Sequence, residues 1–230
     1  KTKKRSDEFE ITKFIIENLI KKYKKINFQV SPELSDLRPF QWFNYFKKTK
    51  KKFSLFTRYT SYIDFSKDDL SNFESSKLYL NMETVRRYDY RKACKEKASI
   101  SVSNDTSNFL DFYRKLMKKQ TINVPAKELK LVNLMISKLI DLKRCKLFYV
   151  KDKSKNILYA LVYIWDNKRA YYFLGAGNPK KNTPWQSTFG HCEVFRYLQK
   201  HQSINLVDLE GVNSPQRGWF KLSLGGSLTT

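Results

Sequence analysis

The chain has 230 residues, of which 41% are hydrophobic and 15% aromatic, and its 45 Lys and Arg against 22 Asp and Glu give a formal net charge of +23. This composition predicts a globular protein with one core or slightly more, and it excludes a disordered or low-complexity chain. No apolar run reaches the roughly 18 residues of a membrane span, and the first residues lack a signal-peptide core. We therefore expect a soluble, cytoplasmic protein without a transmembrane segment.

The excess of basic residues bears on the partners of the protein. A positive field attracts polyanions such as tRNA or the surface of an anionic membrane, although lysine runs such as residues 47–52 equally suit a solvated surface. Three widely spaced cysteines fit neither a disulfide framework nor a zinc cluster, and there are only two histidines. We therefore predict no metal site, and we expect His191 on the surface of a helix.

The first part of the chain changes pattern several times. Apolar residues recur at helical spacing over residues 6–25, which predicts an amphipathic helix. Residues 28–65 are dense in aromatic residues and read as a loop, a short helix and then a strand, because alternation is clear over 53–65. Residues 67–76 are polar, so we place a domain boundary there, with an N-terminal region at 1–75 and the main domain at 76–230.

The main domain begins with helical patterns. Residues 82–97 are predicted to be helical from propensity, residues 99–103 form a short strand, and Asn104 or Asp105 can cap the helix that follows. Pro125 then begins a helix over about 126–142.

The period then switches to that of strands. Residues 145–150, 157–165 and 170–176 predict an antiparallel meander, with the apolar run 157–165 as a central strand covered on both faces. A helix over 187–202, a strand over 205–209 and a loop over 210–218 complete the pattern. The predicted fold class is α/β (α+β), with a mixed, largely antiparallel sheet flanked by helices.

This order of elements, followed by an Asp-rich turn and a Phe-Lys pair, resembles the C-terminal GNAT-like domain of FemAB and related peptidyl- or acyltransferases. The residues that carry the resemblance are RAYYFLGA at 169–176, WQS at 185–187, VDLEG at 207–211 and NSPQRGWFKLSLGG at 213–226. Weaker matches lie upstream, namely DLRPFQWFNY at 36–45, RYTS at 58–61 and the pair Arg86-Arg87 with Arg91-Lys92.

The resemblance implies a GNAT-like fold in which residues 1–75 are a partial or reduced first lobe. It also implies an acyl- or aminoacyltransferase that uses acyl-CoA or aminoacyl-tRNA as donor and holds no bound cofactor. The acceptor would be an amine of a cell-envelope sugar or peptide precursor. A Gly-rich loop of the kind that binds the pyrophosphate of acetyl-CoA is not evident, so the sequence does not choose between the two donors.

Several residues of the last third of the chain are candidates for the chemistry. Acyl transfer to an amine needs a group that stabilises an oxyanion and a group that accepts a proton. In the resembling family the Phe-Lys pair lies near the reacting ester, which assigns the first task to Lys221 with Phe220 beside it. The alternative is a surface lysine on a strand. Asp208 and Glu210 are candidates for the second task, since alternation places both on one face of a strand end, although either carboxylate can instead satisfy loop backbone groups. Tyr171 or Tyr172 is an alternative proton acceptor.

Polar and basic residues elsewhere are candidates for binding. Ser187 and its neighbours lie at a predicted helix N-terminus, which favours a donor's phosphates, although Ser187 can also be a plain N-cap. The loop after the last predicted strand can bind a sugar or phosphate or can simply build a turn. The donor-binding candidates are Gln186, Ser187 and Thr188, and the substrate-binding candidates are Asn213, Ser214, Arg217, Tyr172, Arg58, Arg86 and Arg87.

A second function from another class is consistent with the same composition. The net charge of +23 would also suit a basic RNA-binding or adaptor protein built on an inactive GNAT-like scaffold. Such a protein would bind RNA in a strongly salt-dependent way and would catalyse no transfer.

Overall fold

The computed structural model describes residues 2–230, and their side chains from Asp7 onward. The chain divides into two compact units, the first up to Arg58 together with Thr230 and the second Tyr59–Thr229. This division lies upstream of the expected boundary near residue 75, because the strand at Thr60–Asp64 pairs within the sheet of the second unit.

The helices and strands follow one another in mixed order. The helices are α1 (Thr2–Lys22), α2 (Arg38–Trp42), α3 (Lys77–Asn81), α4 (Thr84–Lys95), α5 (Ser107–Lys119), α6 (Ala126–Asp141), α7 (Gln186–Gln202) and α8 (Pro215–Ser223), with a 3-10 turn at Phe73–Ser75. The strands are β1 (Thr60–Asp64), β2 (Ser99–Ser103), β3 (Cys145–Lys151), β4 (Ile157–Trp165), β5 (Ala170–Gly177), β6 (Leu206–Asp208) and β7 (Ser227–Thr229). None of the helices in residues 2–230 combines the length and the hydropathy of a membrane span.

The first unit contains the predicted amphipathic helix, which is confirmed as α1, and the short helix α2. Ile16 and Phe40 are its most buried apolar residues. Phe40 packs edge-on against Phe53, with ring centroids 5.6 Å apart, and tilted against Phe28 at 5.7 Å. Aromatic contacts therefore hold this unit together where regular structure is sparse.

The second unit is built on a seven-stranded sheet in the order β2-β3-β4-β5-β6-β1-β7. Every neighbouring pair is antiparallel except β5 with β6, which is parallel. The predicted meander β3-β4-β5 is confirmed, with β4 in the middle, as its almost wholly apolar sequence requires. The fold class is thus the expected mixed, largely antiparallel sheet flanked by helices.

Helices cover both faces of this sheet and give two apolar layers. On one face, Phe148 and Leu161 of the sheet share a buried cluster with Phe189 and Phe195 of α7, and α4 packs beside α7. The opposite face carries α5 and α6, which contribute Phe109 and Ile136 to a second cluster. Because alternate residues of β3 and β4 point to opposite faces, the two strands supply both layers.

One glycine lets α7 lie close to the sheet. A Cβ atom at Gly190 would stand 2.8 Å from a methyl group of Leu161 and 2.8 Å from one of Val150, both of which are fully buried. The close contact fixes the depth of the α7 residues that follow, including His191.

The predicted loop over 210–218 is wrong in its second half, because α8 begins at Pro215. Pro215 occupies the first helical position, which its ring favours, and Ser214 precedes it as the N-cap residue in extended conformation. Lys221 consequently lies on a helix rather than on a strand. The short strand β7 follows and pairs with β1, so the strand β6 predicted over 205–209 is not the last one.

Candidate active site

Lys221 is a buried lysine of the second unit, with only 9% of the residue exposed. Its Nζ atom donates hydrogen bonds to the backbone carbonyls of Glu210 at 3.1 Å and Gly211 at 3.2 Å. The same ammonium lies 5.4 Å from the centre of the Tyr172 ring. Helix α8 therefore presents a cation held by one turn and one aromatic face rather than a solvated lysine.

Burial lowers the pKa of Lys221 to about 8, with Glu210 opposing this effect and Arg217 adding to it. No carboxylate forms an ion pair with this ammonium among the side chains that the structure describes. At neutral pH most of the lysine is still protonated, and its charge is poorly solvated. Such an ammonium is suited to stabilising negative charge that develops on a substrate oxygen.

The parallel pairing of β5 with β6 is short and leaves Tyr172 beside Lys221. The two strands are in register only at Ala170 with Val207 and at Tyr171 with Asp208, after which β6 ends. The Tyr172 hydroxyl meets that of Tyr159 at 3.1 Å. Tyr172 thus has its ring under the ammonium and its hydroxyl in a polar pair, which together define its orientation.

His191 is fully buried beside the same group, so the expectation of a helix-surface histidine is wrong. Its Nδ1 shares a hydrogen bond of 2.5 Å with the Tyr163 hydroxyl, while Nε2 has no hydrogen-bond partner in the part of the chain that the structure describes. The imidazole stands edge-on to Tyr172 at 4.6 Å and lies 5.6 Å from Phe220. We call Lys221, Tyr172, His191 and Phe220 the Lys221 cluster.

The buried imidazole predicts acid sensitivity. Burial, followed by repulsion from Lys221, lowers the pKa of His191 from 6.5 to about 3. Below pH 6.5 the unfolded chain takes up a proton that the folded chain refuses, so the free energy of unfolding falls as the pH drops from 6.5 towards 3. We expect this histidine to contribute a slope of up to about 1.4 kcal/mol per pH unit.

Urea denaturation between pH 7 and pH 4 measures this slope. The comparison is the double variant His191→Phe and Tyr163→Phe, which keeps two aromatic rings and leaves no unpaired hydroxyl. Its free energy of unfolding should fall less steeply with decreasing pH than that of the unaltered protein. Equal slopes would show that His191 becomes protonated without unfolding.

A largely buried ion pair lies beside Phe220. The Arg86 guanidinium is 5.1 Å from the centre of the Phe220 ring, and it donates to Asp89 at 2.8 Å and to Thr188 at 3.0 Å. The Thr188 hydroxyl donates to the same Asp89 carboxylate at 3.2 Å. Desolvation raises the pKa of Asp89, and Arg86 counteracts this. The triad joins α4 to α7 beside Phe220.

The two candidate carboxylates differ in their surroundings. Asp208 is buried and accepts hydrogen bonds from the Thr60 hydroxyl and, at 2.7 Å, from the Glu210 backbone N–H. Glu210 lies at the surface with a positive φ of 58°, outside β6, so the expectation that both project from one strand face is wrong. Partial desolvation, followed by repulsion from Asp208, raises the pKa of Glu210. Asp208 therefore holds the turn, and Glu210 is the freer carboxylate.

The turn between β6 and α8 is held by Asn213. Its Oδ1 accepts from the backbone N–H of Tyr59 at 2.8 Å, and its Nδ2 donates to the Tyr59 carbonyl at 2.9 Å. Ser214 and Arg217 are exposed, and Arg217 contacts Gln120 at 3.4 Å. The Asn213 amide thus holds the turn, whereas the side chains of Ser214 and Arg217 face solvent.

The predicted helix N-terminus is confirmed at α7, but the N-cap residue is Trp185, so Ser187 is not the cap. Gln186 is buried and donates to Asn182 at 2.8 Å. Thr188 is already used by the Arg86 triad, and Ser187 is partly exposed. Of the three donor-binding candidates, Ser187 alone has no side-chain hydrogen bond within the described residues.

The remaining two arginines are both accessible to solvent. Arg58 is exposed at the end of the first unit. Arg87 is partly exposed on α4 and donates to Thr84 at 3.2 Å. Sequence reasoning missed Tyr159, Tyr163, Asp89 and the buried state of His191, because each takes its place only through partners on other elements.

Comparison with known proteins identifies the fold. No protein-family model and no curated protein sequence matches the chain. Among solved structures, FemX matches with a TM-score of 0.60 and 11% identity over 84% of this chain and 65% of its own. A conserved protein of unknown function from Bacteroides thetaiotaomicron matches with a TM-score of 0.57 and 9% identity over 84% of this chain and 64% of its own.

A third structure, named as the C-terminal domain of a lysylphosphatidylglycerol synthetase from Agrobacterium fabrum, matches with a TM-score of 0.50 and 9% identity, over 75% of this chain and 58% of its own. The chain thus spans less than two thirds of the length of each of these structures. At such low identity the matches show the shape of the backbone rather than the chemistry. The fold is shared with FemX, and it is the mixed, largely antiparallel sheet flanked by helices that the sequence led us to expect.

Proposed function

We propose that the protein is an acyl- or aminoacyltransferase that moves an acyl group from acyl-CoA or aminoacyl-tRNA to an amine of a cell-envelope sugar or peptide precursor. The observation that carries the proposal is the buried Lys221 ammonium, held by two turn carbonyls over Tyr172. The similarity of the fold to that of FemX also supports the proposal of a transferase.

The residues fit the steps of such a transfer. The acceptor amine attacks the carbonyl carbon of the donor ester or thioester, which forms a C–N bond and places negative charge on the carbonyl oxygen. The Lys221 ammonium stabilises that oxyanion. The intermediate then collapses, the C–O or C–S bond breaks, and the leaving oxygen or sulfur takes up the proton that the amine gave to the base, so that an alcohol or thiol departs.

The proton lost by the attacking amine needs an acceptor. Glu210 is the better candidate, because its raised pKa brings it closer to the working pH and its side chain is exposed. Asp208 is buried and engaged by Thr60 and the turn backbone, which suits it to positioning. The proposed donor contacts are Gln186, Ser187 and Thr188. The proposed substrate contacts are Asn213, Ser214, Arg217, Tyr172, Arg58, Arg86 and Arg87.

The experiment is a screen for both binding and product. The purified protein is incubated with acyl-CoAs or charged tRNA together with amine-bearing sugar and peptide precursors, and thermal shift and mass spectrometry are recorded in parallel. The proposal requires one donor that raises the melting temperature and also yields an acylated amine. Stabilisation by RNA alone, with no acylated product from any pair, would favour the RNA-binding or adaptor protein instead.

A further inference from the structure

Helix α1 has an apolar face that the first unit leaves open. The helix packs against α2 and buries Ile16, of which only 2% is exposed. By contrast, Ile11, Phe14 and Ile15 are 60%, 68% and 49% exposed. Their spacing of three and four residues places them together on one side of the helix. Contiguous apolar surface of this kind marks a site of interaction with another molecule.

A groove continues this face to the side. Its volume is about 710 Å³, and it is lined by Ile11 and Ile15 of α1 and by Phe28, Val30 and Leu34 of the segment that leads to α2. Phe28 and Val30 are themselves 45% and 40% exposed. All of these residues belong to the first unit, so the open apolar surface of this unit is wider than one helix.

The charges at the two ends of this face are opposite. The pair Asp7-Glu8 lies seven residues before Phe14-Ile15, and the pair Lys21-Lys22 lies seven residues after it. Seven residues make about two helical turns, so both charged pairs lie on the same side of the helix as the apolar residues. None of the four charged side chains forms an ion pair with another side chain that the structure describes. The face therefore has an acidic end, an apolar centre and a basic end.

We infer that this face binds a second copy of the chain, with the two α1 helices antiparallel across a twofold axis between Phe14 and Ile15. In that arrangement Asp7-Glu8 of each copy faces Lys21-Lys22 of the other, because both pairs are equally far from the axis. Phe14 of each copy packs against Ile11 and Ile15 of the other, beside the groove. A parallel pair would instead bring like charges together at both ends. A twofold contact repeats each interaction, so one self-complementary face serves both copies.

A second copy fits this face better than an anionic membrane does. A helix that lies on a membrane carries cations along its polar face, whereas an anionic bilayer would repel the acidic end at Asp7-Glu8. The net charge of +23 also repels a second copy at long range, but about 0.1 M salt screens that repulsion beyond about 10 Å. At contact, the apolar centre supplies the affinity and the charged ends fix the orientation.

Sedimentation equilibrium of the 230-residue protein at about 0.1 M salt measures the association. We expect a monomer–dimer equilibrium with a dissociation constant in the micromolar range, since the interface is small. A protein that stays monomeric up to about 1 mM would overturn the proposal. The inference does not rest on the proposed transferase, so Lys221→Met should dimerise as the unaltered protein does.

Charge reversal at the two ends tests the antiparallel arrangement. One variant carries Asp7→Lys and Glu8→Lys, and the other carries Lys21→Glu and Lys22→Glu. Each variant alone brings like charges together and should self-associate about tenfold more weakly or worse, whereas an equal mixture of the two should associate within about threefold of the unaltered protein. The second variant lowers the net charge by four, so general repulsion alone would strengthen its association. Recovery in the mixture also shows that both variants fold.

The apolar centre has a control of its own. Phe14→Gln should weaken self-association by about tenfold or more, because a twofold contact loses the ring twice. Phe46→Gln removes a ring of the same unit that is 93% exposed, and it should change the association by less than about twofold. Equal effects of these two changes, or a mixture of the charge variants that stays monomeric, would contradict the antiparallel pair. Vesicle binding that depends on Phe14, in a protein that stays monomeric, would assign the face to a membrane instead.

Discussion

Replacing Lys221 by Met should lower the rate of acyl transfer by about 100- to 1000-fold, the cost of removing one donor to an oxyanion. The methionine fills the same volume between Tyr172 and the turn, and it removes a charge that burial already destabilises. The melting temperature should therefore not fall. Transfer rates at saturating donor, with thermal melts of the same samples, measure both effects.

Two further variants make this result specific. Lys221→Arg keeps a cation and should retain part of the activity, whereas Trp219→Ala removes a side chain on the same helix that is 70% exposed and should leave the rate unchanged. If the transfer rate of Lys221→Met stayed within about threefold of that of the unaltered protein, Lys221 would not stabilise the oxyanion, because the loss of such a donor lowers the rate far more than threefold.

Replacing Asp89 by Ala should destabilise the fold by about 3 to 5 kcal/mol, because the change leaves a buried guanidinium without its counter-charge. The Arg86 and Asp89 side chains are only 19% and 7% exposed. The Arg86 Nε is already buried without a hydrogen-bond partner in the described residues, and the contacts that would remain to the guanidinium, with the Thr188 hydroxyl and the Phe220 ring, carry no counter-charge. Urea denaturation at pH 7 measures the loss.

A surface pair provides the matched control. Asp111 lies three residues before Arg114 on α5, and their side chains are 36% and 64% exposed. Asp111→Ala should cost less than about 1 kcal/mol, as exposed ion pairs do. If Asp89→Ala cost no more than Asp111→Ala, the pair beside Phe220 would not bind α4 to α7 as described.

The parts of the fold that sequence reasoning found are those with a strong local pattern. The run 157–165 is apolar almost throughout and became the central strand β4, and the helices before and after the meander follow their apolar periodicity. The place of β1 between β6 and β7 is a pairing across most of the chain, so no local pattern could predict it.

Helix α8 was missed because its sequence carries turn signals. A turn is favoured by Asn213, Ser214 and Pro215, and the nearby Gly211 and Gly218 also favour a turn. In the structure Pro215 begins the helix, and Gly218 is needed since a Cβ there would stand 2.7 Å from the Val212 carbonyl oxygen. Tertiary packing, rather than propensity, decides this segment.

The candidate site shows the same limit. The Phe-Lys pair and the acidic turn could be found from motif resemblance, since they are contiguous in sequence. The partners that set their chemistry could not: Arg86 meets Thr188 across 102 residues, and His191 meets Tyr163 across 28. The local sequence predicts that His191 lies on a helix surface, because nothing in that sequence indicates the sheet that buries it.

The most direct test of the central claim is the pH dependence of single-turnover transfer between pH 6 and pH 10, in the unaltered protein and in Lys221→Arg. Deprotonation of the acceptor amine raises the rate with pH in both proteins. If the Lys221 ammonium stabilises the oxyanion, the unaltered protein should lose activity above an apparent pKa of about 8. The arginine variant should not, because its guanidinium stays charged. A falling limb that persists in Lys221→Arg, or a rate that keeps rising through pH 8 in the unaltered protein, would contradict the assignment.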